Sequence, residues 1–78
     1  MFIKVCKNKF ISTAWLIEID IEKTQMSQGT ALLYRYAVWG RTYLDERYVL
    51  GYFDDEKSAR SFVLSLPTPK NIRIEKGE

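Results

Sequence analysis

Hydrophobic and polar positions alternate along most of this chain, and the alternation predicts strands before anything else. In residues 2–7, Ile3 and Val5 share one side while Lys4 and Cys6 share the other, the period of a half-buried strand. Asn8 and Lys9 make a turn before Phe10-Ile11-Ser12-Thr13. Residues 14–22 alternate most clearly, with Trp15, Ile17, Ile19 and Ile21 inward and Leu16, Glu18, Asp20 and Glu22 outward. That pattern belongs to an antiparallel sheet with one wet face. Residues 23–30 are polar, contain Gly29 and predict a surface loop. A third strand follows over residues 31–39, with Leu32, Tyr34, Tyr36 and Val38 inward. Leu33, Arg35, Ala37 and Trp39 then point outward, because Arg35 belongs in water.

Gly40-Arg41 suits a two-residue turn, but the solvated Asp-Glu-Arg tip favours a bulge at Gly40 and a turn at Leu44-Asp45-Glu46-Arg47. Residues 48–53 then form a fourth strand. Asp54 or Asp55 caps a helix whose first turn holds Glu56. Ala59, Phe62, Val63 and Leu66 fall on one stripe, and Pro67 and Pro69 stop the helix. Residues 71–75 make a short last strand with Ile72 and Ile74 inward, and the chain frays beyond it. The expected fold is one α+β domain over residues 1–78. It has an antiparallel four- to five-stranded sheet with one helix packed on one face (β-β-β-β-α-β), the other face left open.

Composition narrows the chemistry. A domain of 78 residues buries only about 60% of its unfolded surface, so most large apolar side chains must serve packing. There is no histidine and one cysteine, Cys6. Internal disulfides, thiolate zinc sites and His-based catalysis drop out together. No metal or cofactor is expected, and no enzyme activity. Apolar runs are too short to span a membrane, residues 1–7 lack a signal-peptide core, and a cytoplasmic setting without a membrane partner is expected. A net charge of +2 is too small to declare a nucleic-acid protein by itself.

All five tyrosines lie between Tyr34 and Tyr52, interleaved with Trp39, Arg35, Arg41 and Arg47. Rigid rings beside guanidinium forks are what a recognition surface uses. Tyr36, Tyr52 and Phe53 are the structural members of this group, while Arg35, Trp39, Arg41 and Tyr43 fall on or near the uncovered face. Glu18, Asp20 and Glu22 form an acidic stripe at steps of roughly 7 Å. The basic residues Lys4, Lys7 and Lys9 precede it, with Lys4 expected opposite a carboxylate on the neighbouring strand.

Two families share parts of this pattern. In length, in its opening Met1-Phe2-Ile3-Lys4, and in Phe53-Asp54-Asp55-Glu56 followed by Phe62, Leu66-Pro67 and Arg73-Ile74-Glu75, the chain resembles small phage-encoded anti-CRISPR proteins. That resemblance implies a stoichiometric inhibitor covering a surface of a nucleoprotein complex. Trp39-Gly40-Arg41 at a strand end, after Tyr34 and Tyr36, is similar to the WGR domain, although Thr42-Tyr43-Leu44-Asp45 stands where that family carries glycines. This second resemblance implies nucleic-acid contacts by Trp39 and Arg41.

The primary expectation is a non-catalytic protein-binding module, an inhibitor of a host nucleoprotein defence complex. Its partner-binding residues are Arg35, Trp39, Arg41 and Tyr43 with Glu18, Asp20 and Glu22. The alternative is a nucleic-acid binder using Trp39, Arg41, Lys4, Lys7, Lys9 and Arg47. A homodimer through an open face carrying Leu16, Leu33 and Trp39 is also compatible with the pattern.

Overall fold

Every strand boundary in the first third of the chain is set by where the backbone can keep pairing. The computed structural model describes residues 1–28, 31–69 and 72–76. These residues form β1 (Phe2–Cys6), β2 (Lys9–Ser12), β3 (Leu16–Gln28), β4 (Ala31–Thr42), β5 (Arg47–Phe53), α1 (Glu56–Ser65) and β6 (Arg73–Lys76), with a 3-10 turn at Thr13–Trp15 between β2 and β3. Residues 29, 30, 70, 71, 77 and 78 lie outside the described residues. So do the side chains of Leu32, Leu33 and Tyr34, and with them the expected facing of the start of the third strand.

The α+β class holds, with one helix on one face of a sheet, but the single antiparallel sheet does not. β1 and β2 form their own hairpin, and the larger sheet is mixed, in the order β5-β4-β3-β6. β6 runs parallel to β3. Its direction follows from the helix: β5 is antiparallel to β4, hence parallel to β3, and α1 carries the chain back across the sheet so that the next strand repeats that direction. The hairpin also overturns the expected pairing of Lys4 with a carboxylate, because Lys4 faces Phe10 across β1–β2.

The polar residues 23–28 continue β3 as a strand, where a loop was expected, and pair with β4 from Lys23↔Tyr36 to Gln28↔Ala31. Backbone pairing in such a ribbon needs no apolar side of its own.

Two irregularities fix which residues face the core. On β3, Leu16 pairs with Thr42 and Glu18 with Arg41, so Ile17 has no partner. This bulge reverses the phase of the alternation. Leu16, expected outward, is 1% exposed, and Ile17, expected inward, is 40% exposed. Leu16 is therefore unavailable to an open-face dimer. On β5 the unpaired residue is Leu50, between Trp39↔Val49 and Val38↔Gly51. The bulge expected at Gly40 thus sits on the opposing strand, and Gly40 itself pairs regularly with Ile19 and Tyr48.

The covered face holds Ile19, Ile21, Val38 and Leu50, against Ala59, Val63 and Leu66 of α1, with Ile3, Ile11 and Leu16 closing the hairpin end. Phe53 meets Phe62 at 5.1 Å between ring centroids. The helix starts as its sequence specifies: Asp55 is the N-cap, and its carboxylate accepts from the Ser58 N–H at 2.6 Å.

Candidate partner-binding surface

Directly paired residues of adjacent strands share a face, so the register assigns the open face. Its rows are Glu18↔Arg41↔Arg47, Asp20↔Trp39↔Val49 and Glu22↔Ala37↔Tyr52, with Arg35 in the next row opposite Thr24. The expected acidic stripe and the arginine–aromatic group therefore belong to one surface, on neighbouring strands.

Proximity satisfies most of that surface internally. The Arg41 Nε donates to Glu18 Oε1 at 3.2 Å, and its Nη1 donates to Asp45 Oδ1 at 2.9 Å. Hydrogen bonding first to Asp45 and then to Glu18 raises the Arg41 pKa further above its ordinary value. Arg47 reaches Asp20 at 3.8 Å and lies over the Trp39 ring, its guanidinium carbon 4.6 Å from the centroid. Arg35 stands 6.0 Å from the Tyr52 ring, and Tyr52, expected in the core, is exposed. Trp39 is half-buried, and among the described residues its indole Nε1 has no hydrogen-bond partner. Glu22 is exposed. Paired in this way, the open face presents little net potential to a partner.

Tyr43 stands apart from this network, in the turn joining β4 to β5. The turn is closed by Thr42 N–H to the Glu46 carbonyl (2.9 Å) and Asp45 N–H to the Thr42 carbonyl (2.8 Å). Asp45 takes a φ of 64°, a left-handed conformation that Asp tolerates better than most residues. The Tyr43 N–H donates to the Trp15 carbonyl at 2.9 Å, tying the turn to the 3-10 turn that precedes β3.

The result is an apolar end of the molecule. Trp15, expected inward, is 41% exposed, and Tyr43 and Leu44 are more exposed still. These three, with Ile11, Thr42, Lys9 and Glu46, line a cavity of about 120 Å³. This approaches the ~150 Å³ apolar cavity known to admit benzene. The sequence reading missed Trp15 and Leu44. The residues 12–14 (Ser-Thr-Ala) before Trp15 were the available sign of a break, since Ser12 caps the 3-10 turn by accepting from Ala14 N–H at 3.2 Å.

The lysines are divided. Lys4, Lys7 and Lys9 are all exposed on the hairpin, and Lys4 borders a cleft of about 480 Å³ together with Trp39 and Arg47 of the open face. Lys9 donates to the Tyr48 hydroxyl, lies 4.7 Å from its ring centroid and has its pKa raised mainly by that hydrogen bond. Among the described residues no group of three or more Cys, Asp or Glu side chains could hold a metal ion, and no helix is long and apolar enough to cross a membrane. Compared with known protein families, curated proteins and solved structures, the chain matches none.

Proposed function

We propose that this chain is a non-catalytic protein-binding module that docks through its apolar end, and that its target is a nucleoprotein complex of the kind small phage inhibitors cover. The carrying observation is the exposed Trp15, Tyr43 and Leu44 around the 120 Å³ cavity. Large rings and an aliphatic side chain at a concave site fit a partner's single apolar anchor, the usual centre of a binding hot spot. Lys9 and Glu46 at the same cavity offer one charge of each sign to orient the partner's chain.

In this reading the open-face residues have different duties. Tyr43 contacts the partner, Arg41 braces the turn through Asp45, and Arg35, Trp39, Glu18, Asp20 and Glu22 form the flank of the docking end. The alternative use of Trp39, Arg41 and Arg47 for phosphates is less favoured, because Glu18 and Asp20 already engage these arginines.

The test is affinity capture from nuclease-treated bacterial lysate with wild type and a Tyr43→Ser/Leu44→Ser variant. Both side chains are exposed, so the variant keeps the fold, checked by its melting temperature. A defined protein complex retained by wild type and lost by the variant is the expected result. Equal capture by both, or no retained protein, would overturn the proposal.

A further inference from the structure

The outer side of the β1–β2 hairpin carries a second set of exposed rings that neither the core nor the docking end uses. Cross-strand register places Phe10 directly opposite Lys4, and Phe2 opposite Ser12, so Phe2, Lys4 and Phe10 share one face with Phe2 and Phe10 as diagonal neighbours. Phe2 is 67% exposed and Phe10 56%. Trp15 extends the group, meeting Phe2 edge to face at 6.3 Å with an interplanar angle of 86°. Lys7, at the adjoining hairpin turn, is exposed.

The hairpin segment itself carries charge of one sign. Residues 1–17 contain Lys4, Lys7 and Lys9 and no acidic residue, the first acid in the chain being Glu18. Lys9 is held by Tyr48, which leaves Lys4 and Lys7 facing outward beside the rings. Glu46 approaches the end of the hairpin that carries Lys9, at the cavity both line, while Glu18 and Asp20 lie on the other sheet, engaged by Arg41 and Arg47.

We infer that this hairpin face binds single-stranded nucleic acid, with bases stacking on Phe2, Phe10 and Trp15 and phosphates held by Lys4 and Lys7. Every base has a π-face, so rings spaced along a rigid strand pair accept successive bases without sequence preference. Lys4 and Lys7, which make no ion pair among the described residues, match a backbone that carries charge at every nucleotide. A lipid surface fits less well. The polar Lys7-Asn8 turn ends the hairpin, and Lys4 sits between the rings, so inserting the rings would drag its ammonium beneath the headgroups. This site lies beside the protein-docking end and shares only Trp15 with it.

Binding is measured by fluorescence anisotropy with a labelled oligothymidylate of about 12 nucleotides, within the usual ~4–16-nucleotide footprint. Phe10→Ala should weaken binding at least about fivefold, the lower end for loss of one stacked ring. Lys4→Ala should weaken it and reduce the slope of log affinity against log salt by about 0.7, one phosphate's share on a single strand. Melting temperatures of both variants verify the fold. In a Trp39→Phe background, where Trp15 is the remaining tryptophan, oligonucleotide should quench its emission.

Absence of an anisotropy change at low salt would overturn the inference. So would unchanged affinity in Phe10→Ala, equally tight binding of a duplex of matching sequence, or uptake by phosphatidylglycerol vesicles without oligonucleotide binding. None of the affinity measurements alters Tyr43 or Leu44, so their failure would leave the protein-docking proposal standing.

Discussion

Replacing Gly40 with alanine should destabilise this fold more than an added methyl ordinarily does. A Cβ at Gly40 would stand 2.7 Å from Leu16 Cδ2 and 3.0 and 3.3 Å from the two Cδ atoms of Leu50. Carbon atoms pack best at about 3.5–4.0 Å, so both leucines would have to retreat. Neither has room, since Leu16 and Leu50 are both buried in the core. Overpacking of this kind costs about 1–3 kcal/mol. Alanine restricts the unfolded chain more than glycine does, which offsets about 0.4–1 kcal/mol. The net loss spans about 0–2.6 kcal/mol and centres near ~1.3 kcal/mol, or roughly 5–10 °C in melting temperature for a domain of this size.

The assay is thermal melting by circular dichroism together with urea titration, where an unchanged m-value shows that stability alone has moved. Leu16→Ala supplies the second arm. By itself it should cost about 2–5 kcal/mol. Combined with Gly40→Ala it should cost about 1 kcal/mol less than the sum, because the new methyl enters the space that Leu16 vacates. A Gly40→Ala protein more stable than wild type would refute the argument. Strict additivity of the double variant would refute it equally. The result bears on the surface too, since Gly40 lies between Trp39 and Arg41.

Two further outcomes concern pH. Asp55 has its pKa held below the ordinary 3.8 by hydrogen bonds from the Ser58 backbone N–H and then its hydroxyl. A depressed folded-state value means the contribution is present above pH 3.8 and is lost as pH falls through the folded pKa. The melting temperature of wild type should therefore drop more steeply in that acid range than that of Asp55→Asn, and parallel curves would remove the cap from the explanation. Lys9 is raised above 10.5, chiefly by the Tyr48 hydroxyl. Its contribution is complete below pH 10.5 and disappears as pH rises through the folded value, a dependence that Tyr48→Phe should flatten in alkaline melting curves.

The helix was legible because its signals are local: the Asp55 cap, the stripe Ala59, Phe62, Val63 and Leu66, and the stop at Pro67 are all contained in one short segment. Strand facing was legible only as far as pairing stayed regular. Leu16-Ile17-Glu18 contains nothing that marks a bulge, yet one unpaired residue exchanges the two sides for everything before it. Ile17 moved to the surface and Leu16 into the core for that reason, while Trp15 is exposed where the 3-10 turn takes the chain out of strand pairing.

Direction in the sheet had no local signal either, since β6 is parallel to β3 through the geometry of the helix crossover. The acidic and basic rows were each visible in the sequence, but their mutual neutralisation depends on the β3–β4–β5 register. The exposure of Phe2 did have a sign, because it shares parity with Lys4 along β1, and Phe10 likewise sits opposite in phase to the buried Ile11.

Arg41 is where the two parts of the surface meet, and its role can be decided by a substitution that keeps the charge. One edge of its guanidinium serves Glu18 on β3 and another serves Asp45 in the β4–β5 turn. Lysine carries a single compact ammonium and cannot reproduce that fork. If Arg41 braces the turn, Arg41→Lys should accelerate hydrogen exchange at the Thr42 and Asp45 amides, whose bonds to Glu46 and Thr42 close it. Partner capture should then weaken along with the loosening of Tyr43 and Leu44. If Arg41 instead touched the partner directly, capture would fall while those amides kept their protection. The Glu18 side discriminates further: Glu18→Gln retains an acceptor for Nε and should leave the turn amides close to wild type, whereas Asp45→Gly removes the carboxylate, accepts the φ of 64° without strain and should match Arg41→Lys. Protection unchanged in both Arg41→Lys and Asp45→Gly would show that backbone bonds hold the turn without the side-chain bridge, and would return Arg41 to the set of direct contacts.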